Sequence, residues 1–179
     1  STPFVDPTHK PDHVTHALLA AQDGDPTAID RNVRLTVDDI TPYSRYLGDR
    51  NHLDDLDQNT YLRALRSMHT YRGDTPALRW LLTIARRACA DAVHGHERAR
   101  RTELTRRPTI EHTASVEIEL MMDELPEDQR QAFVLTQLLG YPYGEAADIC
   151  DCPIGTIRSR VARARSNLAA ALASIERTA

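Results

Sequence analysis

The reading turns on "CPIGTIRSRVARARSNL", Cys152 to Leu168, near the C-terminal end of a 179-residue chain. The stretch holds four arginines, Arg158, Arg160, Arg163 and Arg165, and no acid occurs from Pro153 to Ile175. Ile154, Ile157, Val161, Ala164, Leu168 and Leu172 recur every three or four residues, predicting one apolar stripe on a helix opened by Pro153. At about 100° per residue, Ser159, Ala162, Arg163 and Ser166 fall opposite that stripe. Arg158 and Arg165 flank it on one side and Arg160 on the other. Just upstream, Ala146, Ala147, Ile149 and Cys150 make the inner face of a short helix, and "CDC" supplies a tight turn. Short helix, turn and basic helix together predict a helix-turn-helix. Its second helix would present Thr156, Arg158, Ser159 and Arg163 to a major groove, where arginine forks bind guanine edges and other basic or hydroxyl groups hold phosphates. The plainer alternative is an amphipathic helix whose arginines are merely solvated.

Around this basic helix the protein is acidic, with a formal net charge of −4. The charge is segregated. Arg98, Arg100, Arg101, Arg106 and Arg107 form one basic block, and from Glu111 to Asp151 the only Lys or Arg is Arg130. Local basic patches can serve nucleic acid even when the total charge opposes it.

Working towards the N-terminus, helical patterns follow one another and no stretch alternates with period two, so the fold class is all-α. Residues 1–12 hold three prolines and read as a mobile tail. A short helix is expected over Val14–Gln22, a second from near Pro26 or Thr27, and a third in "TPYSRYLGD", where Pro42 suits only a first turn. "HLDDLDQNTYLRALRSM" is a fourth, with Leu56 and Leu62 expected to face inward. "TYRGDT" breaks the pattern, and Pro76 opens the next helix. Residues 97–115, with Pro108 and no apolar period, read as a flexible linker. Two small helical domains are therefore expected, 13–96 and 116–179, the second with the helix-turn-helix.

Three cysteines, Cys89, Cys150 and Cys152, are an odd number and form no disulfide framework. Cys-x-Cys without a second pair is a poor zinc signature. Cys150 and Cys152 read as small core hydrophobes, and His94 and His96 as exposed residues at a helix end. No metal, cofactor or catalytic constellation is expected. There is no apolar run of bilayer length, so no membrane insertion is expected, and the simplest location is cytoplasmic.

"CPIGTIRSRVARAR" and the preceding "LPEDQRQAFVLTQLLGYPYGEAADIC" resemble the promoter-reading part of extracytoplasmic-function (ECF) sigma factors of bacterial RNA polymerase. "DDLDQNTYLRAL" (Asp54–Leu65) and "YRGDTPALRWLLTIARRACAD" (Tyr71–Asp91) resemble the same family independently, in the same order. The resemblance implies a sigma-two domain and a sigma-four domain, and a protein that is not an enzyme. Asp55, Gln58, Asn59 and Arg63 would dock on the clamp helices of the polymerase β′ subunit, Asn59 standing where the family usually has Glu. The loop from Met68 to Asp74, with His69, Tyr71 and Arg72, would receive a base turned out of the minus-ten strand. Arg79, Arg86 and Arg87 would line the helix beside it. Arg87 stands where many members have Asn. The second domain would read the minus-thirty-five element through Thr156, Arg158, Ser159, Arg160, Ala162, Arg163 and Arg165. Further partners implied are the polymerase β flap, promoter DNA and an anti-sigma factor. Asp151 replaces the family's common turn Gly, a substitution that a left-handed turn tolerates. Two other readings stand beside this one: a stand-alone helix-turn-helix regulator that binds duplex DNA without polymerase, and a helical protein-interaction module.

Overall fold

The computed structural model describes residues 12–48, 52–102 and 114–178. The expected tail, apart from Asp12, and the central linker residues 103–113 lie outside them, as do the side chains of 96–102. Every regular element among the described residues is helical, as the periodicity predicts.

Asp12 caps α1 (His13–Gln22), its carboxylate accepting from the Thr15 backbone N–H at 2.9 Å. α2 (Ala28–Leu47) is one helix of 20 residues where two were expected, with Pro42 inside it. An interior proline removes one backbone bond and crowds the carbonyl four residues back. Here that residue, Asp38, is exposed, so water can satisfy its carbonyl. Burial of Ile40, Tyr43 and Leu47 holds the helix together across the defect. Gly48 ends it because α3 (Leu53–Ser67) passes close by: a Cβ on Gly48 would lie 2.1 Å from Leu56 Cδ2.

α3 turns inward along Leu56, Thr60 and Ala64, while Leu62 is 51% exposed and Leu65 39%. The expectation that Leu62 faces the core is corrected. Small residues at Thr60 and Ala64 let α3 lie close to its neighbours, and the buried Thr60 hydroxyl is satisfied by the Leu56 carbonyl at 3.0 Å. A 3-10 turn (Met68–Thr70) and an exposed loop lead to α4 (Ala77–Thr102). Its residues Leu81, Leu82, Ala85, Ala88 and Cys89 are buried. α4 continues through Thr102, so the first residues of the expected linker are helical.

The second unit comprises α5 (Ala114–Glu124), α6 (Glu127–Phe133) with a π-helical turn at Val134–Leu138, α7 (Tyr143–Cys150) and α8 (Ile154–Thr178). Leu135, Ile149, Ile157, Val161 and Ala164 close its core. At roughly 1.5–3 kcal/mol for each large aliphatic side chain buried, this set commits α7 and α8 to one geometry. The apolar stripe on α8 is shorter than expected: Ile154 is 42% exposed and Leu172 50%. α8 has 25 residues against 11 or fewer in α5, α6 and α7, and outruns the helices it packs on.

The two units share one core. α2 and α4 pack against α6 and α7, and Tyr43 is fully buried at their junction with its hydroxyl unpartnered. Burial pushes that hydroxyl well above the ordinary tyrosine range, reinforced by Cys89 and Cys150. Arg79 of α4 pairs with Asp148 of α7 at 2.9 Å, and Arg45 of α2 with Glu119 of α5 at 2.8 Å.

Candidate nucleic-acid interface

The turn between α7 and α8 depends on Asp151, which adopts the left-handed conformation with φ 52° and ψ 53°. The Cys152 N–H then reaches back to the Ala147 carbonyl at 3.1 Å, closing the helix end in a Schellman-type cap. α8 starts at once in a new direction, seated on α6 and α7 through Ile157, Val161 and Ala164.

What remains outward is narrower than the arginine count implies. Arg158, Ser159, Ala162 and Arg163 are exposed on the outer side of the first turns, and Thr156 is half-buried. Ala162 and Arg163 line a shallow groove of about 350 Å³ with Gln129, Ser166 and Asn167, and Asn167 donates to Gln129 Oε1 at 2.9 Å. Arg160 is engaged within the unit, its Nε 3.1 Å from Asp128 and its Nη1 3.5 Å from the Cys152 sulfur. Arg165 donates to Gln137 Oε1 of the π-helical turn. These two arginines brace α8 on α6. Arg158 and Arg163 are the forks presented outward.

The second cluster surrounds the loop between the 3-10 turn and α4. Arg72, Gly73, Asp74 and Thr75 are exposed at its tip, as is His69, and Gly73 takes a positive φ of 75°. Met68 is half-buried at its base. Tyr71 is only 5% exposed. Its ring lies 5.3 Å from that of Trp80 and its hydroxyl donates to the Thr75 carbonyl. Tyr71 therefore shapes the loop rather than presenting a face to solvent.

On α4, Arg87 is exposed, whereas Arg79 is held by Asp148 and Arg86 turns its Nε into the junction without a partner. A cleft of about 620 Å³ opens between the units, lined by Thr75, Arg79, Trp80, Asp148, Asp151 and Cys152 among others. Sequence reasoning missed the supports from α1: Gln22 bonds the Met68 and Tyr71 carbonyls, and Thr15 accepts from the Ala77 N–H. Asp12 carries a cap signature ahead of a helical pattern, but nothing local marks Gln22.

The third cluster is the outer side of α3. Asp55 and Gln58 are exposed. Arg63 donates to Asn59 at 3.2 Å and to Asp91 of α4 at 2.6 Å. Beside them Asp54, Asp57, Gln58, Tyr61, Leu62 and Leu65 line a shallow groove of about 550 Å³, apolar along its floor. Leu62, expected in the core, thus belongs to this face together with Leu65.

Burial pushes the Cys89 thiol up to about 12 and the Cys150 thiol up to about 11, the latter with help from Cys152. Both therefore stay protonated near neutrality and do not supply the thiolate, which is the nucleophilic and metal-binding form. Both serve as packing groups in the shared core.

A helix-turn-helix unit joined to a second helical unit, with an exposed loop ahead of an arginine-bearing helix, defines a two-unit helix-turn-helix protein. Comparison with known proteins places it. The Sigma-70 region 2 family model matches residues 43–99, and the Sigma-70, region 4 model matches 115–168. The ECF RNA polymerase sigma factor SigC of Mycobacterium tuberculosis is 41% identical over 169 residues, covering 88% of this chain and 90% of that protein. The ECF RNA polymerase sigma factor EcfG of Rhodopseudomonas palustris is 38% identical over 137 residues, 70% of this chain and 74% of that one. Among solved structures, the sigma factor RpoE in complex with the anti-sigma factor NepR from Bartonella quintana superposes with a TM-score of 0.66 at 25% identity, covering 79% of this chain and 94% of that one. CnrH in complex with the cytosolic domain of CnrY shares the fold, with a TM-score of 0.74 at 21% identity over 90% of this chain and 98% of that one.

The chain belongs to the ECF family of sigma-70 factors. It is a sigma factor that associates with RNA polymerase and directs it to promoters, and sigma factors are not enzymes. Among the described residues no helix is long and apolar enough to cross a membrane.

Proposed function

We propose a division of labour among three surfaces. The first unit, 13–96, docks on the polymerase clamp helices through the outer side of α3, with Asp55, Gln58 and Asn59 providing polar contacts around the exposed Leu62 and Leu65. The same unit receives the minus-ten strand at the loop 68–75, with Arg87, and Arg79 once released from Asp148, meeting the phosphates. The second unit, 116–179, reads duplex DNA at the minus-thirty-five element with Arg158, Ser159, Ala162 and Arg163. Residues 97–115 connect the two. The chain thus acts as a non-catalytic specificity subunit, working in the cytoplasm where polymerase meets promoters.

One observation carries this reading: the left-handed turn at Asp151 seats α8 so that Arg158 and Arg163 are exposed while Ile157, Val161 and Ala164 are buried. A helix so seated can enter a major groove with its arginine forks leading. An isolated chain of net charge −4 gains little from non-specific phosphate neutralisation. Attachment to polymerase offsets this by raising the effective concentration of both units at the promoter. The complex of RpoE with the anti-sigma factor NepR makes an anti-sigma partner part of the same proposal.

Elements named for positions minus ten and minus thirty-five lie roughly 25 base pairs apart, about 85 Å at 3.4 Å per step. α4, beside the loop that receives one element, packs on α7, and α7 seats α8, which reads the other, so units packed in this way cannot reach both at once. Promoter binding must break the Arg79–Asp148 and Arg45–Glu119 pairs and open the shared core. The test is permanganate probing of a promoter complex formed with core polymerase. Unpaired thymines should appear at the minus-ten element with the wild-type chain and be lost with a Leu62→Asp, Leu65→Asp variant that cannot dock. Melting that persists with that variant would contradict the assignment of the α3 face.

A further inference from the structure

The base-receiving loop is held at both ends by α1, a helix that no promoter contact has been assigned to. At its start, the side-chain amide of Gln22 donates to two backbone carbonyls, those of Met68 and Tyr71, the second at 2.8 Å. At its end, the Thr15 hydroxyl accepts the Ala77 N–H at 2.9 Å, an orphan donor of the first turn of α4. Thr15 in turn donates to the Asp12 carboxylate and lies 3.3 Å from the Tyr71 hydroxyl, which bonds Thr75. Leu19 of the same helix lies under Gly73, 3.6 Å from where a Cβ would sit. Between these anchors the tip, Arg72 to Thr75, is exposed.

We propose that Gln22, with Thr15, is a positioning residue for base capture: acting from α1 without touching DNA, it fixes the loop 68–75 in its receiving shape. This rests on the assignment of that loop to the minus-ten strand. The physical argument concerns populations. A loop that samples several shapes binds with an affinity reduced by the fraction of time it is competent. Both hydrogens of the Gln22 amide are used on loop carbonyls, so one side chain closes two otherwise open backbone positions. Tyr71 packed on Trp80 then sets the loop against α4. An unstacked base enters a shape already made, and the ordering cost falls on folding rather than on binding.

The experiment uses the full chain bound to core polymerase, with a pool of single strands randomised across the minus-ten window as probe. The bound strands are sequenced, and affinity for the consensus that emerges is measured. The variants are Gln22→Leu, which keeps the bulk and removes both donors, Thr15→Val, which removes the hydroxyl, and Thr15→Ser, which restores it. Loss of preference at one base position, with affinity down about ten-fold if the competent fraction falls to a tenth, is expected for the first two. Thr15→Ser should recover it, and hydrogen exchange at the loop amides should rise in step with the loss. Binding of duplex by the second unit should not change.

A wild-type base preference retained in Gln22→Leu and Thr15→Val would overturn the proposal. So would a uniform loss across all positions that Thr15→Ser does not rescue, which marks a purely structural role. Arg72→Ala and Asp74→Ala at the tip separate the two levels. If they leave the preference untouched, the loop assignment fails, and the proposal with it. If they change it and the α1 variants do not, the proposal alone fails.

Discussion

At the residue scale, the first four arginines of α8, Arg158, Arg160, Arg163 and Arg165, do two kinds of work. Arg163 lies exposed beside Ala162 on the outer face, whereas Arg160 is 23% exposed and paired with Asp128. Arg163→Ala should cost about 1–3 kcal/mol of discrimination at a single base pair of the minus-thirty-five element, with unchanged thermal stability. Arg160→Ala should lower stability by up to about 1 kcal/mol and weaken binding without changing which bases are preferred. Competition by duplexes altered one pair at a time, alongside melting curves, separates the two. The sequence wheel sets Arg163 opposite the apolar stripe and Arg160 at its flank, but it cannot show the pairing of Arg160 with Asp128, 32 positions upstream. Asp151 was legible: a short polar residue between two helical patterns suits a left-handed turn, and it adopts one. Gln22 was not legible, since its partners are backbone carbonyls of a loop far along the chain.

At the element scale, local periodicity located the helices and misjudged where two of them stop. α2 runs through Pro42, which a sequence rule treats as a boundary. Tertiary burial of Ile40, Tyr43 and Leu47 on either side overrides that rule. Pro42→Ala should therefore restore a backbone bond and raise unfolding free energy, by on the order of 1–3 kcal/mol, in denaturant titrations. A loss of stability would mean the ring itself packs better than a continuous helix. α3 carries the parallel lesson. Leu56 and Leu62 were expected to face the core; Leu56 does, but close helix packing selected Thr60 and Ala64 beside it and left Leu62 outside with Leu65. An exposed apolar face of this kind is informative because a free chain gains nothing from it. The most legible parts were the helix-turn-helix and the order of the motifs, where spacing, turn chemistry and apolar pattern agree.

At the scale of the whole molecule, the free chain holds its two units together through one shared core and through ion pairs that include Arg79–Asp148 and Arg45–Glu119. None of this was legible in the sequence, since each partner looks like a solvated charge on its own helix. A dye pair on exposed positions of α3 and the end of α8 should show high energy transfer in the free chain. Transfer should drop when core polymerase and promoter are added, and Asp148→Arg should lower it in the free chain as well. Unchanged transfer on promoter binding would show that the units read DNA while packed.

In the proposed division of labour, polymerase rather than free affinity for DNA turns these two surfaces into a promoter reader. The most direct measurement is run-off transcription by core polymerase, with and without the full chain, on a template carrying both elements and on templates lacking either. Specific transcripts only with the chain, and lost when either element is removed or when Arg158→Ala and Arg163→Ala are combined, are the result predicted. Tight binding of a palindromic duplex by the chain alone, with no effect on initiation, would contradict it.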